Sequence, residues 1–306
     1  MPEPRIFLTR QLPAPVLKRL EASFAVVEEV AGSAGLVTIP ADVVGARLFD
    51  AAGPDLRIVA NFGVGYDSVD VAEATRRGIV VSNTPDVLTQ ATAELTVALL
   101  LSLLRRVTEG DRLVRRQDAW ALSPTFMLGE GLAGKTLGVV GLGRIGREVA
   151  RLAGAFRMRV VHTGGSGPHE ELPLERLLAE ADVVTLHVPL KPETHHLIGQ
   201  RELALMRPNS VLVNVSRGPV VDEAALVEAL AGGQIAGAAL DVYEREPEVS
   251  AGLLGLENVV LTPHLGSSTH TAREAMGMLC ADALEAVLLR DELPENAVNP
   301  EAWDAD

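Results

Sequence analysis

Beyond Lys135 the chain is punctuated by six short, almost wholly apolar runs, at 136–140, 158–162, 182–187, 211–215, 237–241 and 259–261, with helix-length stretches filling the gaps. A strand lacks polar alternation in this way when both of its faces are covered. Such strands, alternating with crossover helices, predict an α/β fold built on parallel sheet. The first 85 residues carry a thinner version of the pattern: strands at 6–8, 57–60 and 79–81, a helix after the Pro13 and Pro15 pair, and a loop bearing Gly63 and Gly65. A long helix is predicted from about Thr89 to Gln117, then a loop over 118–134. A final helix over 271–290 precedes a polar tail that packs back on the first domain. At 306 residues the chain has room for about two domains, drawn here as 1–95 plus 288–306 and as 96–287.

Composition narrows the partners. Acidic residues number 41 against 27 basic ones, a net charge of −14, and that average field repels a phosphate polymer. The densest basic cluster, Arg112, Arg115 and Arg116, fits a solvated helix face, and aromatics at 3% supply few platforms for stacking bases. No nucleic acid partner is expected. Cys280 is the single cysteine; it excludes an internal disulfide and a cysteine metal cluster, reads as a small buried hydrophobe, and fits a reducing compartment. No metal site is expected. The N-terminal segment lacks the long apolar run of a secretory signal, and the longest apolar run, between Glu94 and Arg105, falls far short of a membrane span. A cytoplasmic protein with no membrane partner is the expectation.

Gly141, Gly143 and Gly146 spell G-x-G-x-x-G between the run at 136–140 and a helix. The first glycine permits a tight turn, the second lets a pyrophosphate approach backbone, and the third lets helix and strand pack closely. The helix N-terminus then offers free N–H donors. The letters alone also fit a structural turn or an S-adenosylmethionine loop; the strand–turn–helix setting points to a dinucleotide. In an NAD site an Asp or Glu about 20 residues on accepts the adenosine ribose hydroxyls. Here no carboxylate lies between Glu148 and Glu170, and the second strand runs out through His162 into Thr163, Gly164, Gly165 and Ser166. Those hydroxyls and amides can take a 2′-phosphate, although Gly165 stands where an arginine is expected. NADP(H) is preferred, with NAD(H) open.

A dinucleotide exchanges hydride with a partner, and reducing a carbonyl needs a proton donor near pH 7, a group that polarises the oxygen, and an anchor. Of the seven histidines, His195 and His196 sit in a polar segment after Pro192, and His162 and His187 end strands where they line the cofactor at most. His264 stands apart: it follows a strand and Pro263, and precedes a Gly-Ser turn. That places it at the carboxyl edge of the sheet, where ligands bind in open α/β folds. Two other strand ends carry Arg217 and Glu246. An arginine can hold a carboxylate bidentately and polarise an adjacent carbonyl, and a glutamate beside a histidine stabilises the imidazolium. Either residue alone reads equally well as a structural ion pair.

The chain resembles the D-isomer-specific 2-hydroxyacid dehydrogenases, in pattern most like glyoxylate/hydroxypyruvate reductases. The likeness spans about Arg57 to Ser268 and is carried by GVGYDSVD at 63–70, NTPDVLTQATAEL from Asn83, GKTLGVVGLGRIG from Gly134, NVSRGPVVDE from Asn214, LDVYEREP from Leu240 and TPHLGSST from Thr262. The resemblance implies two Rossmann-like domains with parallel sheets, a substrate-binding one (1–95 plus 288–306) and a dinucleotide-binding one (96–287), with the cofactor cleft between them, in a homodimer. It implies Arg217 as carboxylate anchor and carbonyl polariser, His264 as general acid and Glu246 as its partner. Backbone N–H groups at Val64 and Gly65 would hold the substrate carboxylate, together with Arg217 and His264. Leu142, Gly143, Arg144 and Ile145 would cover the pyrophosphate and Asp241 would hold the nicotinamide amide. Val215, Ser216, Arg217, His264 and Gly266 would complete the cofactor contacts.

Departures from the family pattern sharpen the substrate. Formate dehydrogenases of this superfamily carry glutamine where this chain has Glu246. Phosphoglycerate dehydrogenases place an arginine near the positions of Asn61 and Phe62. A small unphosphorylated 2-keto acid, glyoxylate or hydroxypyruvate, is the expectation. The alternatives are another D-2-hydroxyacid dehydrogenase, of the D-lactate or phosphoglycerate type or for a bulkier keto acid, and a dinucleotide-sensing binding protein akin to the C-terminal binding protein co-repressors. Phe62, Trp120, Phe126 and Met127 are the side chains that either line the pocket or belong to the core.

Overall fold

The computed structural model describes residues 3–303. They form two compact units, 3–88 with 267–303 and 89–266. All principal strand pairings are parallel.

The first unit begins with β1 (Arg5–Leu8), α1 (Ala14–Glu21), β2 (Ala25–Val27), β3 (Gly35–Thr38), α2 (Ala46–Ala52), β4 (Ile58–Asn61), α3 (Val71–Arg76) and β5 (Val80–Ser82). Its five strands lie in the order β2-β1-β3-β4-β5, the flavodoxin-like version of a doubly wound sheet. Two of them, β2 and β3, escape the sequence pattern. They are three and four residues long, and the Gly- and Ala-rich segment leading into β3 dilutes the apolar signal.

The second unit runs through α4 (Thr89–Leu104), α5 (Val107–Arg115), β6 (Thr136–Leu142), α6 (Arg144–Ala155), β7 (Arg159–Gly165), β8 (Glu170–Glu171), α7 (Leu174–Glu180), β9 (Val183–Leu186), α8 (Gln200–Leu205), β10 (Val211–Asn214), α9 (Glu223–Ala231), β11 (Gly237–Leu240), α10 (Ala251–Leu254) and β12 (Val259–Leu261). The sheet order is β12-β11-β10-β9-β6-β7-β8. Followed from β8, this is the Rossmann order with β12 added at the far edge. The apolar runs predict six strands; β8, two exposed residues, is the seventh. The winding direction reverses between β6 and β9, the place where open α/β sheets bind ligands.

The long helix expected over 89–117 is two helices. Arg106 takes a left-handed conformation, φ 54°, and the carbonyl of Leu104 accepts the amide of Glu130 at 2.9 Å. That partner comes from the returning loop, so the helical ladder stops there. Gly129 is what lets the loop approach: a Cβ on it would overlap the Leu104 oxygen.

The last helix, α11 (His270–Glu285), belongs to the first unit. The boundaries therefore fall after Leu88 and after Gly266, earlier than the expected 95/96 and 287/288. The reason is packing on α1. Val16 lies directly over Gly277, where a Cβ would stand 2.5 Å from a Val16 methyl. Beside that contact Arg19 grips Glu285 through two hydrogen bonds of 3.0 and 2.8 Å. The segment after α11 also returns to this unit. Asn299 accepts from the Val81 amide at 2.7 Å and donates to the Ile79 carbonyl at 3.0 Å.

Candidate active site

Because the sheet of the second unit is parallel, every strand delivers its carboxyl end to one edge. β12, β11 and β10 are immediate neighbours there, and they run out into His264, the 241–246 turn and Arg217 in turn. Sheet order, which the sequence does not display, thus makes neighbours of three residues that lie far apart along the chain.

The contacts follow from that placement. His264 Nδ1 lies 2.7 Å from Glu246 Oε2, and the other carboxylate oxygen, Oε1, accepts the amide of Tyr243 at 3.0 Å. Burial, the largest single influence, pushes the Glu246 carboxyl up. Its hydrogen bond to His264, the His264 charge, the Tyr243 amide and the nearby Arg217 together outweigh burial and hold it below its usual value. The guanidinium of Arg217 donates to the Ser216 carbonyl at 2.8 Å. Asn214 shapes this turn: its amide donates to the Arg217 carbonyl at 2.9 Å, and its oxygen accepts from the Ser216 amide and hydroxyl at 3.0 and 2.8 Å.

Asp241 does more for the imidazole than its expected contact with nicotinamide implied. It is 1% exposed. Its carboxylate accepts from the Thr262 hydroxyl at 2.6 Å, the Leu265 amide at 2.7 Å and the Gly266 amide at 2.8 Å, while its carbonyl accepts the His264 amide at 2.9 Å. These bonds lock the turn in which His264 adopts φ 53°, a left-handed conformation uncommon outside glycine. Burial raises the Asp241 pKa against those hydrogen bonds and the His264 charge. Of four lone-pair directions on its carboxylate, three are spent on this turn. Tyr243 closes the arrangement from below. Burial pushes its hydroxyl up to about 12, so it stays protonated and donates to the Thr262 carbonyl at 3.0 Å.

The glycine loop meets its geometric requirements one by one. Gly141 has φ 95°, and a Cβ there would stand 2.8 Å from the His187 carbonyl. A Cβ on Gly146 would overlap the Gly141 oxygen, so α6 and β6 pack at backbone contact. Nothing lies within 4 Å of the corresponding position on Gly143, which leaves backbone open to an approaching pyrophosphate. The chain's own residues therefore fit a dinucleotide. Leu142 and Val215 are buried, so what they offer a cofactor is backbone. Arg144, Gly164, Gly165 and Ser166 are exposed, while Ile145, Thr163 and Ser216 are half-buried and Gly266 is buried.

Val64 and Gly65 lie in the first unit. Their loop is held through its carbonyls: Asn83 donates to the Val64 oxygen at 2.9 Å, and Asn61 donates to the Gly63 and Gly65 oxygens at 3.1 and 2.9 Å. The amides of Val64 and Gly65 donate to no described residue. A loop whose acceptors are spent and whose donors are free suits an anion. Asn61 and Asn83 are positioning residues that sequence reasoning passed over. In the same unit Arg273 stacks 5.9 Å from the Phe62 ring, so a cation does reach Phe62, carried there by α11 rather than by the local sequence.

The remaining candidates stay apart from this cluster. Burial lowers the His187 pKa to about 3; the ring is neutral and bonds Thr185. His196 pairs with Glu244 and lies against His195 with the rings tilted by 32°. Phe62 is core at 4% exposed, whereas Trp120, 56% exposed, stacks on Phe126 with ring centres 5.9 Å apart. Among the described residues no group of three or more His, Cys, Asp or Glu could hold a metal ion, and no helix is long and apolar enough to cross a membrane.

Comparison with known proteins gives the family. Residues 97–266 match the family described as D-isomer specific 2-hydroxyacid dehydrogenase, NAD binding domain. The glyoxylate reductase of Thermococcus litoralis is 45% identical, with 97% of each chain aligned. Among solved structures, a protein of Thermus thermophilus superposes with a TM-score of 0.91 at 44% identity, covering 96% of this chain and 99% of that one. The NADPH-dependent glyoxylate/hydroxypyruvate reductase of Sinorhizobium meliloti, solved with NADP and malonate, gives a TM-score of 0.86 at 37% identity over 98% of both chains. The chain belongs to the D-isomer specific 2-hydroxyacid dehydrogenase family. It is accordingly an NAD(P)-dependent oxidoreductase acting on a small keto or hydroxy acid.

Proposed function

We propose that this enzyme reduces glyoxylate or hydroxypyruvate to the corresponding 2-hydroxy acid, with NADPH preferred over NADH. The reading is carried by one observation, the 2.7 Å contact between His264 and Glu246 beside Arg217, a proton donor held by a carboxylate next to a guanidinium. The glyoxylate reductase relatives support the substrate class, and the carboxylate-free end of β7 supports the phosphorylated cofactor.

When bound, the nicotinamide supplies a hydride to the keto carbon. The protein's residues do the rest. Arg217 pairs with the substrate carboxylate and polarises the keto oxygen. The free amides of Val64 and Gly65, in the first unit, are donors suited to a carboxylate. His264, held by Glu246, transfers a proton to the keto oxygen as charge develops there. Gly141, Gly143, Gly146 and the first turn of α6, with Arg144 and Ile145, hold the pyrophosphate. Asp241 keeps its one unspent lone pair for the carboxamide, and Val215, Ser216 and Gly266 contribute backbone around the ring.

The enzyme works as a homodimer. α5 buries none of its residues, and Val107, Val114, Trp120, Leu122 and Leu128 of the same region are exposed, an apolar surface that a second copy would cover. The sole, buried cysteine suits a cytoplasmic setting. The test is a panel of 2-keto acids, glyoxylate, hydroxypyruvate, pyruvate and bulkier homologues, assayed with NADPH and NADH side by side. The highest kcat/KM is expected for glyoxylate or hydroxypyruvate with NADPH. A clear preference for pyruvate or a bulkier acid would reassign the substrate, and the absence of turnover with all of them would remove the enzymatic reading.

A further inference from the structure

The end of β7 carries no arginine of its own, but one reaches it from a different element. Arg147 lies near the start of α6, and its guanidinium crosses to the loop after β7. Nε donates to the Ser166 carbonyl at 3.1 Å and Nη2 points to the Ser166 hydroxyl at 3.3 Å. Arg147 is exposed and forms no ion pair with a described residue; its neighbour Glu148 is engaged by Arg151 through bonds of 2.9 and 2.6 Å. Two of the five guanidinium donors face Ser166, leaving three for another acceptor.

The loop it reaches is bare of negative charge. No Asp or Glu occurs from 149 to 169. Gly164 and Gly165 have φ of 70° and 88°, and Gly165 lies so close to Leu142 that a Cβ would stand 2.7 Å from its oxygen. The loop therefore follows the end of β6 at backbone contact and carries no side chain at either glycine. This is the stretch where a dinucleotide fold meets the adenosine ribose. A diol there is read by a carboxylate, and a 2′-phosphate by a cation with parallel donors.

We infer that Arg147, steadied by Ser166, is the residue that binds the adenosine 2′-phosphate and so sets the preference for NADPH. The inference rests on the NADPH reading proposed above and names the group responsible for it. A sequence scan limited to the residues after β7 misses it, because the cation arrives from the helix on the other side of the glycine loop.

The experiment compares the full-length wild type with Arg147→Gln and Arg147→Lys. Calorimetric titration with NADPH, NADH, 2′,5′-ADP and 5′-ADP gives the four dissociation constants, and circular dichroism checks that each variant is folded. Arg147→Gln is expected to weaken NADPH and 2′,5′-ADP at least tenfold while changing NADH and 5′-ADP less than twofold, and Arg147→Lys to fall between. If Arg147→Gln weakens all four ligands alike, the residue only shapes the loop, and the assignment is overturned. If the wild type prefers NADPH and Arg147→Gln retains that preference, Arg147 is the wrong residue although the cofactor reading stands. A wild type that binds NADH and 5′-ADP as tightly as their phosphorylated counterparts removes the cofactor reading and this inference with it.

Discussion

The backbone of Gly218 lies against the backbone of Tyr243, so closely that a Cβ on Gly218 would overlap the Tyr243 carbonyl carbon and oxygen. Gly218 follows Arg217, and Tyr243 gives its amide to Glu246. The contact therefore sets the distance between the turn that carries the guanidinium and the turn that carries the carboxylate. A methyl group at this point has to push the two turns apart. Gly218→Ala is expected to cost about 1–3 kcal/mol of stability, the usual penalty for overpacking, and to lower kcat/KM for keto-acid reduction at least tenfold. Thermal unfolding and steady-state kinetics test both halves. Wild-type values for both would show that the turns accommodate the methyl group and that their spacing is not critical.

The imidazole of His264 and the Glu246 carboxylate are hydrogen-bonded, and the proposed mechanism uses them as a unit. His264→Ala is expected to lower turnover by roughly 10²–10⁴-fold, the range for loss of a positioned general acid, with NADPH affinity within about twofold of wild type. Adding Glu246→Gln to His264→Ala should cost little more, because the glutamate acts through the histidine. Multiplicative losses in the double variant would mean that Glu246 has a role of its own.

The pH dependence has a definite sign. For stability the sign is set by Glu246, whose carboxyl is held below the ordinary glutamate value of 4.5. Its stabilising contribution is complete above about pH 4.5 and is lost as pH falls through the depressed value. Glu246→Gln should therefore show a shallower loss of Tm in acid than the wild type. A series of melting curves across the acid range reads the effect.

His187 offers a second pH test. Its folded-state pKa, about 3, lies below the ordinary histidine value of 6.5, so folding excludes a proton that the unfolded chain binds. The stability it contributes is complete above about pH 6.5 and is withdrawn between there and pH 3, at up to about 1.4 kcal/mol per pH unit. His187→Gln is expected to flatten the decline of Tm across that window. An unchanged slope would mean that the ring takes up a proton without unfolding.

The anion loop of the first unit can be loosened without touching the reacting groups. Asn83→Ala releases the Val64 carbonyl and removes one hydrogen bond, worth about 1 kcal/mol. The expected result is a rise in KM for the keto acid of roughly fivefold with little change in kcat or NADPH binding. Should kcat fall while KM holds, the loop serves the chemical step rather than substrate binding.

Much of this was legible in the one-dimensional pattern. The strands of the second unit follow from apolar runs of near-final length, because a strand covered on both faces has no polar alternation to lose. The glycine loop follows from spacing, since only residues without a Cβ meet the approaches seen at Gly141 and Gly146. The short β2 and β3, the break at Arg106 and the allegiance of α11 were hidden, because each is decided by a distant partner: a neighbouring strand, the Glu130 amide, the Val16 methyls.

What the amino-acid order determined alone is which groups the chain possesses at its turns: His264 behind a proline, Glu246 and Arg217 behind apolar runs, and no acid after β7. What only the folded state decided is which of those groups meet. The order β12-β11-β10 brings three turns side by side, Asp241 spends its carboxylate on holding one of them, and Arg147 reaches Ser166 from another helix. Side-chain chemistry is local to the sequence, but adjacency in a parallel sheet is created by crossover connections that put remote strands next to each other, and no residue-by-residue pattern encodes that neighbourhood directly.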